Sequence, residues 1–215
     1  MSKDIKNLIN ENKIIAIIRG VKSDGLASLV ETLYSGGIRL VEVTINQSGD
    51  PKTTADAIYN LCGKFDGRVE IGAGTVMSAA QADLVIDSGA KYIISPNVSE
   101  AVITRTKERG VISIPGAFTP TESATAYDYG ADYVKIFPAG TVGASYIKAI
   151  KAPLSHIPFL AVGGIDHANI LDYLKAGACG VGIGGALTNP ETPPETLIKN
   201  IEVMTGKVEE FKKYA

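Results

Sequence analysis

Eight apolar runs of strand length recur along a chain of 215 residues, with helix-patterned stretches between them. The runs are Ile14–Ile18, Leu40–Ile45, Val69–Ile71, Tyr92–Ile94, Val111–Ile114, Tyr133–Phe137, Phe159–Val162 and Gly180–Ile183. Most are rich in β-branched and aromatic residues, the composition of strands covered on both faces. Stretches such as Leu26–Tyr34 and Ile170–Leu174 carry helical periodicity instead. Strands alternating with helices are βα units, and βα units build a parallel sheet. Eight of them in this length predict an α/β chain folded as a (β/α)8 TIM barrel, one domain over residues 1–215. The helix expected after Lys3 is an extra N-terminal element closing the bottom. No G-x-G-x-x-G follows the first strand, which disfavours a doubly wound dinucleotide-binding sheet.

A weak internal repeat agrees with the barrel. The second, fourth, sixth and eighth strands are entered through similar turns, S-G-G-I-R at Ser35, S-G-A-K-Y at Ser88, Y-G-A-D-Y at Tyr129 and A-G-A-C-G at Ala176. The glycine in each is expected to end the preceding helix in a left-handed conformation.

Composition removes several function classes. Hydrophobic residues make up 45% and charged residues 20%, an ordinary globular balance, and the net charge is −2. No basic stripe suits nucleic acid, and Lys212 and Lys213 read as a solvated helix end. Met1–Lys13 is polar without a signal-type apolar region, and no apolar stretch is long enough to span a membrane, so the expected location is cytoplasmic. Cys62 and Cys179 lie far apart and are expected as buried reduced thiols. His156 and His167 form no H-x-x-H arrangement, so the expectation is carbonyl chemistry without zinc.

Barrels of this kind carry their chemistry where strands end and βα loops begin. Lys135 interrupts Tyr133, Val134, Ile136 and Phe137, and Glu42 interrupts Leu40, Val41, Val43 and Ile45. A lysine facing a barrel interior loses hydration, which favours the neutral amine, a nucleophile toward carbonyls. The alternative is a lysine whose ammonium reaches solvent from the strand edge. A carboxyl in the same setting shuttles protons near neutral pH; the alternative is a structural ion pair with Lys135 or Arg19. Arg19, Thr75 and Pro96 stand at the ends of the first, third and fourth strands. Thr75 suits a carboxylate, or else caps a helix. Gly163, Gly164, Gly184 and Gly185 close the seventh and eighth strands, where bare backbone and the helix after Asp166 suit a phosphate; glycines also serve plain turns.

Taken in order, I-I-A-I-I-R-G, V-E-V-T, I-G-A-G-T-V, I-S-P-N, I-P-G-A-F-T-P-T-E, V-K-I-F-P-A, V-G-G-I and G-I-G-G-A-L resemble the 2-keto-3-deoxy-6-phosphogluconate (KDPG) / 4-hydroxy-2-oxoglutarate (KHG) aldolases. Those are Schiff-base enzymes on a (β/α)8 barrel, and the resemblance spans nearly the whole chain. It implies cleavage of KDPG to pyruvate and glyceraldehyde 3-phosphate, with KHG, the 6-phosphogalactonate epimer, or another phosphate-binding barrel reaction as alternatives. It implies Lys135 as the Schiff-base lysine and Glu42 as the general acid/base. Arg19, Thr75, Pro96 and Phe137 would line the pyruvate portion, and the four glycines would face the phosphate. It further implies no cofactor, a small phosphorylated 2-keto-3-deoxy sugar acid as the partner, and a homotrimer. The chain departs from the common pattern in three places. Asn46 stands where many relatives have a substrate-gripping arginine, which leaves Arg19 to supply the cation. Val162 replaces a threonine, and Gly185 replaces a serine. The 6-phosphogalactonate aldolases resemble this chain at the first two.

Overall fold

A computed structural model describes residues 5–20, 23–189 and 191–214. Its strands are β1 (Ile14–Ile18), β2 (Leu40–Thr44), β3 (Glu70–Gly74), β4 (Tyr92–Ile94), β5 (Ile112–Ile114), β6 (Gly116–Ala117), β7 (Val134–Ile136), β8 (Phe159–Val162) and β9 (Gly180–Ile183). Every paired neighbour is parallel, in the order β5-β4-β3-β2-β1-β9-β8-β7-β6. The two outermost strands of that order are consecutive in the chain and are separated only by Pro115. Proline lacks the N–H that would continue a ladder, so the strand is split there. One half pairs Ile112 with Tyr92 and Ile114 with Ile94, and the other pairs Gly116 with Lys135. The Pro115 carbonyl accepts from the Lys135 amide at 2.9 Å. The result is a nearly closed, TIM-barrel-like parallel barrel with helices between the strands.

Four strand boundaries differ from the expected ones. The fifth strand, expected as Val111–Ile114, is the split pair β5 and β6. The third runs Glu70–Gly74 rather than Val69–Ile71, because Gly72 and Gly74 extend it without an apolar signal. The sixth keeps only Val134–Ile136, and the second ends at Thr44, although Ile45 still donates to the Gly74 carbonyl at 2.8 Å. The four glycines of the repeated turns behave as expected, with φ of +99° at Gly37, +104° at Gly89, +96° at Gly130 and +100° at Gly177.

Alternating side chains divide the protein into two layers. Ala16, Val41, Ile71, Ile93, Val134, Ala161 and Val181 point outward into the layer shared with the helices. Ile15, Leu40, Tyr92, Ile94, Ile114, Tyr133 and Leu160 fill the interior, joined by Leu8 and Ile9 of the helix Ile5–Asn12. That helix is tied to the barrel through the Tyr133 hydroxyl, whose single proton is shared between the Lys6 carbonyl at 3.2 Å and Asn10 Oδ1 at 3.3 Å. Lys6 and Lys107 both pair with the buried Asp132, at 2.7 and 2.6 Å. The packed end of the barrel is therefore the one where strands begin, which leaves the chemistry to the other end.

Loop chemistry fixes how helices leave that other end. Thr119 and Glu122 form a reciprocal capping box on the helix Pro120–Asp128, and Asp50 caps Pro51–Lys64 ahead of its leading proline. Among the described residues no helix is long and apolar enough to cross a membrane. Cys62 and Cys179 are free thiols, but they are only partly buried, a correction to the expected full burial.

Candidate active site

In a parallel barrel all strands finish at one rim, so residues at their C-terminal ends converge there. Arg19, Thr75, Phe137, Gly163 and Gly184 directly follow a strand, Pro96, Gly164 and Gly185 come one residue later, and Glu42 and Lys135 sit at the middle of β2 and β7. Lys135 is 6% exposed and Glu42 2% exposed. The Lys135 ammonium does not reach bulk water; its Nζ lies 4.7 Å from the centroid of the Phe137 ring. Burial pulls the Lys135 amine below its ordinary titration range, with Arg19 adding to the shift and Glu42 opposing it. Burial pushes the Glu42 carboxyl up to about 7, against the opposing charges of Lys135 and Arg19. Glu42 Oε2 has no hydrogen-bond partner among the described residues, so this oxygen is not tied into an ion pair. An amine biased toward its neutral form and a carboxyl poised near neutrality suit nucleophilic attack on a carbonyl with proton transfer.

Glu42 keeps its place because β3 presents no side chain beneath it. A Cβ built on Gly74 would fall 1.5 Å from Glu42 Oε1. Gly74→Ala is therefore expected to evict the carboxylate and lower kcat by at least about 100-fold, the scale of losing a general acid/base. Steady-state kinetics together with circular dichroism would check this; unchanged turnover in a folded variant would contradict the packing.

Thr75 adopts φ +58°, a left-handed conformation that a β-branched residue rarely takes. It does not cap a helix, because Ser78 caps Ala79–Asp87 instead. Its Oγ1 accepts from Arg19 Nη2 at 3.5 Å, and its carbonyl accepts from Gln47 Nε2 at 2.6 Å. Gln47 Oε1 in turn accepts from Gln81 Nε2 at 3.0 Å, while Gln81 Oε1 accepts from the Met77 amide at 2.8 Å. The amide pair thus braces the strained residue from outside. Neither glutamine was singled out in the sequence: Gln47 is an isolated polar loop residue, whereas Gln81 stands in the first turn of Ala79–Asp87, three residues after Ser78, an S-x-x-Q pattern that could have marked it. Asn46 faces its own loop, with Oδ1 accepting from the Ser48 amide at 3.1 Å, and Arg19 is the cation beside Thr75.

The remaining expected residues lie around the same mouth. Pro96 approaches Gly116 closely, where a Cβ would sit 2.4 Å from the Pro96 carbonyl oxygen. Phe137 packs on Gly163, whose φ is +90°, and Gly164 has φ +75° and touches Gly140. The Gly164 carbonyl accepts from Asn169 Nδ2 at 2.8 Å. The helix expected directly after Asp166 begins only at Ile170. Asp166 instead folds a turn, accepting from the Ala168 amide at 2.7 Å. Beyond β9, Gly185 faces open space and begins the short helix Gly185–Thr188. Among the described residues no group of three or more His, Cys, Asp or Glu side chains could hold a metal.

The profile of the KDPG and KHG aldolases matches residues 5–202. The chain belongs to this family. It is accordingly an aldehyde-lyase of the KDPG aldolase type. It is 37% identical over 175 residues to the 2-dehydro-3-deoxy-6-phosphogalactonate aldolase of Escherichia coli K12, covering 81% of this chain and 83% of that one. It is 31% identical over 188 residues to the KHG/KDPG aldolase of the same organism, covering 86% and 84%. Among solved structures it resembles a KDPG aldolase from Legionella pneumophila in which pyruvate is captured at low pH as a covalent carbinolamine, with a TM-score of 0.80, 25% identity and 98% of each chain covered.

Proposed function

We propose that this aldolase cleaves a 2-keto-3-deoxy-6-phospho sugar acid to pyruvate and glyceraldehyde 3-phosphate through a Schiff base on Lys135. The observation that carries the reading is the desolvated Lys135 amine inside the barrel, with the buried Glu42 carboxyl in the same interior. The carbinolamine captured in the Legionella relative supports the same covalent route.

Unprotonated Lys135 Nζ adds to the C2 ketone, and the carbinolamine loses water to give an iminium while Glu42 moves the protons. Glu42, as the carboxylate, takes the proton of the C4 hydroxyl. The C4 oxygen becomes a carbonyl, the C3–C4 bond breaks, and its electron pair passes into the iminium to give an enamine. Glyceraldehyde 3-phosphate departs. The enamine takes a proton at C3 from Glu42, and water hydrolyses the new iminium to pyruvate and free lysine. Arg19 and Thr75 hold the substrate carboxylate, Pro96 and Phe137 flank the three-carbon portion, and the backbone at Gly163, Gly164, Gly184 and Gly185 receives the phosphate.

Between the two C4 epimers the galactonate is the preferred substrate in this reading. Higher identity to the phosphogalactonate aldolase supports it, as do Asn46 and Val162 at the two places where the family pattern divides. Pyruvate release from each epimer tests both levels. The expected result is a kcat/KM at least about tenfold higher for the galactonate epimer. A reversed ratio would return KDPG as the substrate, and no pyruvate from either would overturn the proposed function.

A further inference from the structure

Within the barrel, Tyr92 is a buried ionisable group that the reaction above does not use. It is fully buried on β4, and its hydroxyl has no hydrogen-bond partner among the described residues. The other deeply buried tyrosines are satisfied: Tyr133 donates to the Lys6 carbonyl, and Tyr173 donates to the Ala139 carbonyl at 3.1 Å. A phenylalanine would fill the same space as Tyr92 without an orphaned hydroxyl, so packing alone does not explain the residue.

What lies beside it does. The Tyr92 ring rests over Gly72, where a Cβ would fall 2.2 Å from Cε2, and Glu42 rests over Gly74 on the same strand. Residues two apart on a strand face the same side and stand about 6.6 Å apart. The only two buried side-chain polar atoms without partners among the described residues, Glu42 Oε2 and Tyr92 Oη, therefore belong to neighbouring groups on one glycine floor. Glu42 is moreover the register partner of Gly72, the residue the Tyr92 ring covers, which puts the two groups side by side with a water as the bridge between them.

We propose that Tyr92 is a positioning residue for Glu42, its phenol donating a hydrogen bond through one ordered water to the carboxylate. The inference rests on the reading of Glu42 as the acid/base and deepens it. The other charges facing Glu42 are Lys135 and Arg19, and those facing Tyr92 besides Glu42 are Glu70 and Cys62. Burial, and then Glu42, keep the phenol well above its ordinary titration range, so it remains a donor throughout the working pH range. Donation to the charged form favours that form, so Tyr92 lowers the Glu42 titration and orients the oxygen that exchanges protons.

The test is Tyr92→Phe, with the Glu42 titration followed by the infrared carboxyl band that disappears in Glu42→Gln. The expected result is a Glu42 titration raised by about half a unit to one unit, an acid limb of kcat moved by the same amount, and KM unchanged within about twofold. Fluorotyrosine at position 92, a stronger donor of nearly the same shape, should move both readings downward. A band and limb left at their original positions in both variants would overturn the inference while leaving Glu42 as the acid/base. A shifted band with an unshifted limb would remove the catalytic role of the contact. An acid limb that survives Glu42→Gln would remove the assignment of Glu42 itself and this inference with it.

Discussion

Lys135→Met is expected to lower kcat by roughly 10⁴-fold or more, the scale on which enzymes lose rate when a covalent nucleophile is deleted. Methionine preserves length and apolar character, and it removes a charge-bearing group from a site that disfavours charge. The variant should fold, and its thermal stability should equal or exceed that of the parent. Among the described residues Lys135 is the only lysine that lies in a strand. Rescue by a neighbouring amine is therefore not expected. Turnover and thermal melting, measured on one preparation, separate lost chemistry from lost fold.

Glu42→Gln carries the second large effect, a fall in kcat of about 10²–10⁴-fold. Glutamine keeps the shape over Gly74 but cannot move a proton. Schiff-base formation is slowed less than cleavage, because water can carry the protons of dehydration, whereas the C4 hydroxyl needs a positioned base. In the parent, activity should fall as the pH drops through the Glu42 titration near 7, and this limb should vanish in the variant. Stability should move the opposite way. The folded protein holds the Glu42 proton to about 7, against an ordinary 4.5. Below 4.5 both states are protonated and the group is neutral in effect. Between the two values only the unfolded chain releases its proton, so stability falls as the pH rises. Above 7 the cost is complete, on the order of 3 kcal/mol for this fully buried group. Glu42→Gln is therefore expected to melt roughly 5 °C or more above the parent at about pH 8 and no higher at about pH 4. Melting curves at both pH values check the sign.

The barrel was legible because most of its strands are short apolar runs, and a charge inside such a run stands out. Glu42 and Lys135 declared themselves in that way. Boundaries failed where a strand lacks side chains or hydrogen-bond donors: Gly72 and Gly74 conceal the length of β3, and Pro115 divides the fifth strand. The glycine turns were readable because Gly37, Gly89, Gly130 and Gly177 all need the left-handed conformation their sequence context implies. The outer features of the site were not readable. Gln47 and Gln81 act on Thr75 from a neighbouring loop and helix, a contact that only the folded chain brings about. The turn at Asp166 follows the same logic, since its side chain satisfies local amides before the helix can begin.

Incubating the protein with pyruvate and borohydride, followed by peptide mass analysis, most directly tests whether Lys135 is the amine that forms the bond. The predicted result is one reduced pyruvate adduct on the peptide containing Lys135, absent from Lys135→Met. An unmodified Lys135 peptide from protein that is turning over substrate, or an adduct confined to another lysine, would contradict the account.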